Sequence, residues 1–262
     1  MSLISRAFIS DFLVSIGGLP RVAPNTINGM CSSMPMALGD IWMGCPTQNI
    51  KQYLTTAETM DVTSTSANDT SGGTGARQVL IDGLDNDFNH IRELVSLNGL
   101  TTVTTSNSFL RINEANVATS GSFGGTGTGG NDGDITIEST DTSNLEGIIS
   151  SVGGVPIGHL GNSHRTIPNG KAGVLRNNID ISVNRQMSAD VYLMIRMNGP
   201  DLTSAPYAAT RTIAVITSVE GLTNVSVNTP PSLPERTDVW LAALPKQMST
   251  PIQVNYNIAL VG

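Results

Sequence analysis

The sequence predicts an all-β protein, on three observations. Short runs alternate apolar and polar residues with the period of two that sends strand side chains to opposite faces. Between the runs stand Gly, Asn and Asp in turn-forming pairs. Apolar residues at helical spacing are hard to find over any window of 12.

Three regions follow along the chain. Residues 1–54 read as an irregular N-terminal arm rich in Gly, Pro and Met, with one short strand over Gly39-Asp40-Ile41-Trp42-Met43-Gly44. A segment with so little self-packing is expected to gain order against a neighbouring subunit. Met34, Met36, Ile41 and Trp42 are its candidate interface residues, Trp42 being the aromatic anchor. Residues 55–140 read as a first β-sandwich module. Strands are expected at 77–84, 90–97, 101–105, 109–117 and 135–137, with Asn98-Gly99 as the tight turn of a hairpin joining 90–97 to 101–105. The Gly-rich stretch 121–130 reads as a loop or hairpin tip. Residues 141–262 read as a second module with strands at 173–175, 178–183, 189–197, 211–216, 238–243 and 252–261. Six strands punctuated by turns fit a sandwich or jelly roll.

Composition narrows the functions. Charged residues are 13% of the chain, about half the usual share of about 25%, with Thr, Ser, Asn and Gly filling the polar positions. Scarce charge with 4% aromatics points to a surface covered by neighbours. The net charge is −7 and the basic residues are scattered singly, so the footprint that nucleic acid requires is missing. In residues 1–14 an apolar run resembles a signal peptide, but Arg6 and Asp11 interrupt it and no clean cleavage site follows. No apolar run reaches the 18 residues of a membrane-spanning helix. Cys31 and Cys45 are expected as reduced, partly buried small hydrophobes, with a disulfide as the alternative.

Chemical motifs are weak. Gly72-Gly73-Thr74-Gly75-Ala76-Arg77 lacks the Lys-Ser/Thr ending of a phosphate loop and opens a strand, so it reads as a turn. His159 and His164 share a loop and read as surface histidines, short of the three or four ligands zinc requires. Asp82, Asp85 and Asp87, and likewise Asp132 and Asp134, miss the calcium-loop spacing and read as residues closing hairpins. No Gly-x-Ser-x-Gly elbow occurs. Neither a catalytic residue nor a cofactor or metal site is therefore expected.

Several stretches together resemble a class of structural proteins of marine and cyanobacterial tailed bacteriophages. They are Ser66-Ala67-Asn68-Asp69-Thr70-Ser71-Gly72-Gly73, then Gly83-Leu84-Asp85 followed by Glu93, Val95 and Leu97-Asn98-Gly99, and Phe109-Leu110-Arg111-Ile112. In the second half come Ile167-Pro168-Asn169-Gly170-Lys171-Ala172, Pro234-Glu235-Arg236-Thr237-Asp238-Val239 and the C-terminal strand from Tyr256 to Val261. Arg236 replaces the Lys, and Asn169 the Ala, of the family pattern. The resemblance implies a non-enzymatic virion component of two β modules. The expected role is capsid decoration or cement, as a homo-oligomer (a trimer favoured) contacting the major capsid protein or other virion proteins. A tail adaptor, nozzle or fibre-base protein, or a carbohydrate-binding receptor module, is the alternative.

Overall fold

The computed structural model describes residues 22–123, 127, 129–152, 155–198, 202–226 and 231–262. Residues 1–14, and Gly124, Gly125, Thr126 and Thr128 of the Gly-rich stretch, lie outside them. The chain is all-β, with no helix among the described residues. Its first strands are β1 (Val22–Met34), β2 (Gly39–Asp40), β3 (Met60–Ser64), β4 (Ala76–Leu84), β5 (His90–Ser96), β6 (Val103–Thr104) and β7 (Arg111–Ser120). Next come β8 (Ile135–Ser139), β9 (Leu145–Ile149), β10 (Ser151–Val152), β11 (Val155–Pro156), β12 (Arg165–Thr166) and β13 (Ala172–Val183). The last are β14 (Ala189–Met197), β15 (Thr210–Val219), β16 (Leu222–Ser226), β17 (Ser232–Leu233), β18 (Thr237–Pro245) and β19 (Thr250–Val261).

One sheet runs β1-β19-β13-β16, with β17 also on β13. The second runs β12-β18-β14-β15, with β2 also on β18. Followed along the chain, the strands alternate between these sheets in the order of a jelly roll, staying in one sheet only at β2–β12, β14–β15 and β16–β17. Alternation drives it: in β14, Ala189, Val191, Leu193 and Ile195 are buried while Asp190, Tyr192, Met194 and Arg196 are less so. Ile179, Ile181, Leu241, Val254, Tyr256 and Ile258 join them in a single core.

The connectivity corrects the expected boundaries. β2 and β12 pair with the same edge of β18, Gly39 and Asp40 against Ala243 and Ala242, Arg165 and Thr166 against Val239 and Asp238. Between them Ile41 N donates to Leu241 O (3.0 Å) and Ser163 N to Ile41 O (3.1 Å). β2 and β12 are thus two halves of one interrupted strand. The first module is inserted into that strand, and the jelly roll takes its β1 edge from the presumed arm. Ile27, Cys31, Met34, Ile41, Trp42 and Cys45 lie in the jelly-roll core, so 22–45 is not a free arm. The physical reason is that β1 lies along β19 from Val22↔Val261 to Met34↔Thr250, closing the first sheet. Cys31 and Cys45 are joined in a disulfide, Cα atoms 5.8 Å apart, which corrects the expectation of reduced thiols.

The insert is a small sandwich of sheets β6-β3-β8-β9 and β5-β4-β7. Met60, Val62, Val79, Ile81, Phe88, Phe109, Ile135 and Ile137 form its own core, which reaches Ile149 and Leu160 and so extends past the expected boundary at 140. Gly99 takes the positive φ expected at Asn98-Gly99 (+62°), and Asn98 bridges Thr101 across the turn, but the flanking strands do not pair with each other. β5 pairs with β4 and β6 with β3, so the turn carries the chain from one sheet to the other.

Candidate functional site

Three of the four predicted interface residues are internal. Met34, Ile41 and Trp42 are all at most 1% exposed, and Trp42 Nε1 donates to Gln48 O within its own turn. They are corrected to core residues; a Trp and a Met among Gly and Pro look alike whether they dock on a partner or close the chain's own sandwich. Met36 remains outside, at the tip of the 35–38 turn, with Leu38 beside it. The pairing of Met34 with Thr250 sets this turn next to the 246–249 turn, where Met248 is also exposed.

One open flank was named only in part by sequence. β15 and β16 are the last strands of their respective sheets, joined at Glu220-Gly221, so both layers stop on one flank. Every residue of β15 from Thr210 to Ser218 is exposed or half-exposed. Ile213 and Val215 face outward, Leu222 opens β16 at 80% exposure, and Ala214, Ile216 and Val225 only partly cover the core behind. Within β15 the single charge is Arg211. A long edge strand with one charge and no proline leaves a row of backbone donors and acceptors ready to pair.

The polar motifs turn out to be architectural. Asp69 is fully buried and accepts from Ser64 Oγ (2.6 Å), Ala76 N (2.7 Å), Asp132 N (2.9 Å) and Gly133 N (2.9 Å). It binds the 66–77 loop to the 132–133 turn. Asp85 accepts from Asp87 N and Asn89 N, the hairpin-closing role expected of it, whereas Asp82 lies in β4 and pairs with Arg92 and His90. His164 is corrected from a surface residue to a buried one. Its ring contacts Asn162 Oδ1 (2.5 Å) and Asp40 Oδ2 (3.3 Å) and stacks on Trp240 at 5.9 Å. Burial pulls its pKa below the ordinary imidazole value, against the pull of Asp40. Among the described residues no three His, Cys, Asp or Glu side chains converge as a metal site would require.

No protein family matches the chain, and no curated protein does. Among solved structures, the chain is similar to that of the infectious bursal disease virus Gt strain, at 9% identity and a TM-score of 0.25, over 91% of this chain and 71% of that one. It is also similar to the VP2 subviral particle of infectious bursal disease virus, at 11% identity and a TM-score of 0.17, over 92% and 76%. Values this low leave function to be read from the chain's own residues.

A joint fixes the two modules to each other. Asp238 of β18 accepts from Arg111 of the insert (Nε 3.1 Å), Arg196 (Nη2 2.7 Å), Asn198 (2.7 Å) and Thr166 (2.6 Å). Burial alone would raise its carboxyl, but the Arg111 and Arg196 guanidiniums win and hold it well below the usual carboxylate range. Asn113 of β7 adds a two-way amide clasp to Thr166, and Lys51 reaches Glu146 at 2.5 Å, both buried. Such buried, hydrogen-bonded charges make a rigid mount.

Proposed function

We propose that the chain is a non-enzymatic structural protein of a virus particle, working by protein–protein contact. The observation that carries this reading is the β15–β16 flank, where two sheets end together behind an exposed, nearly uncharged ten-residue strand. An isolated soluble protein usually protects such an edge with Lys, Pro or a short strand. A chain that spends its life in a lattice covers it with a neighbour. Jelly rolls are frequent in viral shells, although the fold alone decides nothing.

In the finer form of this proposal the chain decorates and cements the head of a tailed bacteriophage. The flank joins copies, and the turns bearing Met36, Leu38 and Met248 rest on the shell. Contact of the flank with a different face of the next copy closes as a ring, for which three members are favoured; contact with itself closes as a dimer. Quantifying the protein against the major capsid protein in purified particles tests the role. Hundreds of copies per particle support decoration; about six to eighteen assign the chain to the tail instead. Absence from particles overturns the whole reading.

A further inference from the structure

A polar cleft runs along the seam between the modules. β7 supplies Glu114 and Asn116 on one wall, and Asn28 of β1 with Asn162 and Arg165 forms the other, around a hollow of about 400 Å³. A second hollow of about 350 Å³ shares Glu114 and Arg165 and continues past Asp82 and His90. Each volume lies in the ~300–1,000 Å³ range of small-molecule sites, which favour domain interfaces.

Two residues of the lining, Asn162 in the first hollow and Asp82 in the second, each hold a buried polar atom with no partner among the described residues. Asn162 is 5% exposed; its Oδ1 accepts from His164 N, which fixes the amide orientation and leaves Nδ2 a donor without an acceptor. Asp82 is 7% exposed; its Oδ2 takes both Arg92 and His90, and Oδ1 receives nothing. Neither atom opens on the cleft, so the groups that meet a ligand are the less buried side chains of the lining, among them Asn28, Glu114 and Asn116. Amide, carboxylate and guanidinium groups, which bond in pairs, share the lining with Thr26, His90, His159 and Lys171 and with the apolar Ile27, Leu160, Pro168 and Leu260. No Phe, Tyr or Trp lines either hollow. Carboxylates (Asp82, Glu114) and cations (Arg92, Arg165, Lys171) interleave, so a multiply charged ligand of either sign meets its own charge. A hydroxyl group donates and accepts at once and carries no charge.

We propose that this seam binds a neutral oligosaccharide, two or more sugar rings lying across both hollows. The full chain is titrated by isothermal calorimetry with maltohexaose, laminarihexaose, chitohexaose and a mannohexaose, and with heparin hexasaccharide, polyphosphate and an extended hexapeptide as counter-probes. Saturable binding of at least one neutral saccharide is expected. Glu114→Ala and Asn116→Ala, both on the outer surface of β7, are expected to weaken it at least tenfold with the melting temperature unchanged. Binding of none of the four neutral saccharides overturns the proposal. So does binding of only heparin, polyphosphate or the peptide, or saccharide binding that both variants leave intact. Copy number in particles is independent of this result, so the two proposals fail separately.

Discussion

Arg111 of the inserted sandwich and Asp238 of the jelly roll meet in a buried ion pair, with Nε 3.1 Å from Oδ1 and side chains only 5% and 1% exposed. Nothing in the local sequence of either residue announces the other, 127 positions away. Removing one member of such a pair leaves a buried charge short of its partner, at a cost of about 3–5 kcal/mol. Asp238→Asn, which strands both Arg111 and Arg196, is expected to lose that much in urea denaturation. Arg111→Met is expected to lose less, because Arg196, Asn198 and Thr166 still serve Asp238.

The disulfide gives a second prediction. A cross-link closing a loop of about 15 residues is worth roughly 3 kcal/mol through the unfolded state. Cys31→Ser with Cys45→Ser, or full reduction, is expected to lower stability by about that amount while the strand content by circular dichroism stays unchanged. Peptide mass mapping without reductant checks that the bond forms.

Acid sensitivity should come in two stages. His164 is held neutral by burial, with its pKa below that of the unfolded chain. As pH falls below about 6.5 the unfolded state takes up a proton that the fold refuses, so stability declines from there downward. Asp238, depressed in the fold, contributes stability that is complete above about pH 4 and drains away below it. Denaturation midpoints from pH 8 to pH 3 should show both, and His164→Gln should flatten the first stage alone. An unchanged slope between pH 6.5 and pH 5 in that variant would falsify the assignment.

Asp69 has four donors, three of them backbone amides. Asp69→Ala leaves them unsatisfied inside the insert, and a loss of about 3 kcal/mol or more is expected. Hydrogen exchange should locate the damage at 64–77 and 131–134 and leave β13, β14 and β19 protected.

On the open flank, Val215→Lys places a second charge in the middle of an edge whose one charge is Arg211. Light scattering of the purified chain is expected to show assembly in the parent and monomers in the variant, with equal melting temperatures. A parent that stays monomeric at every concentration and does not attach to shells argues against the flank as an interface.

Much of the strand framework was legible because side-chain alternation survives wherever one face is buried. β14 and β19 match their predicted spans almost residue for residue. β1 was not legible. From Thr26 to Cys31 its buried positions are Ile27, Gly29 and Cys31, a correct period of two, before the register shifts ahead of buried Met34. Gly29 hides it, since a Cβ there would lie 2.5 Å from Ser163 Cβ and only hydrogen fits. β16, with Leu222 exposed and Val225 half-covered, carries too little burial to stand out. Of the candidate interface, only Met36 is on the surface, because apolar residues in an irregular stretch do not say whose core they belong to. The seam was invisible for another reason: Asp82, Glu114, Asn162 and Arg165 meet only after the insertion folds back across β12.

The insertion point has a consequence for handling the molecule. The interrupted strand is left at Ile41 and resumed at Ser163, where the two backbones are already bonded neighbours at 3.1 Å. Entry and exit are side by side, so an unrelated passenger whose termini lie close together can be spliced there without stretching the frame, and the roll becomes a carrier for display.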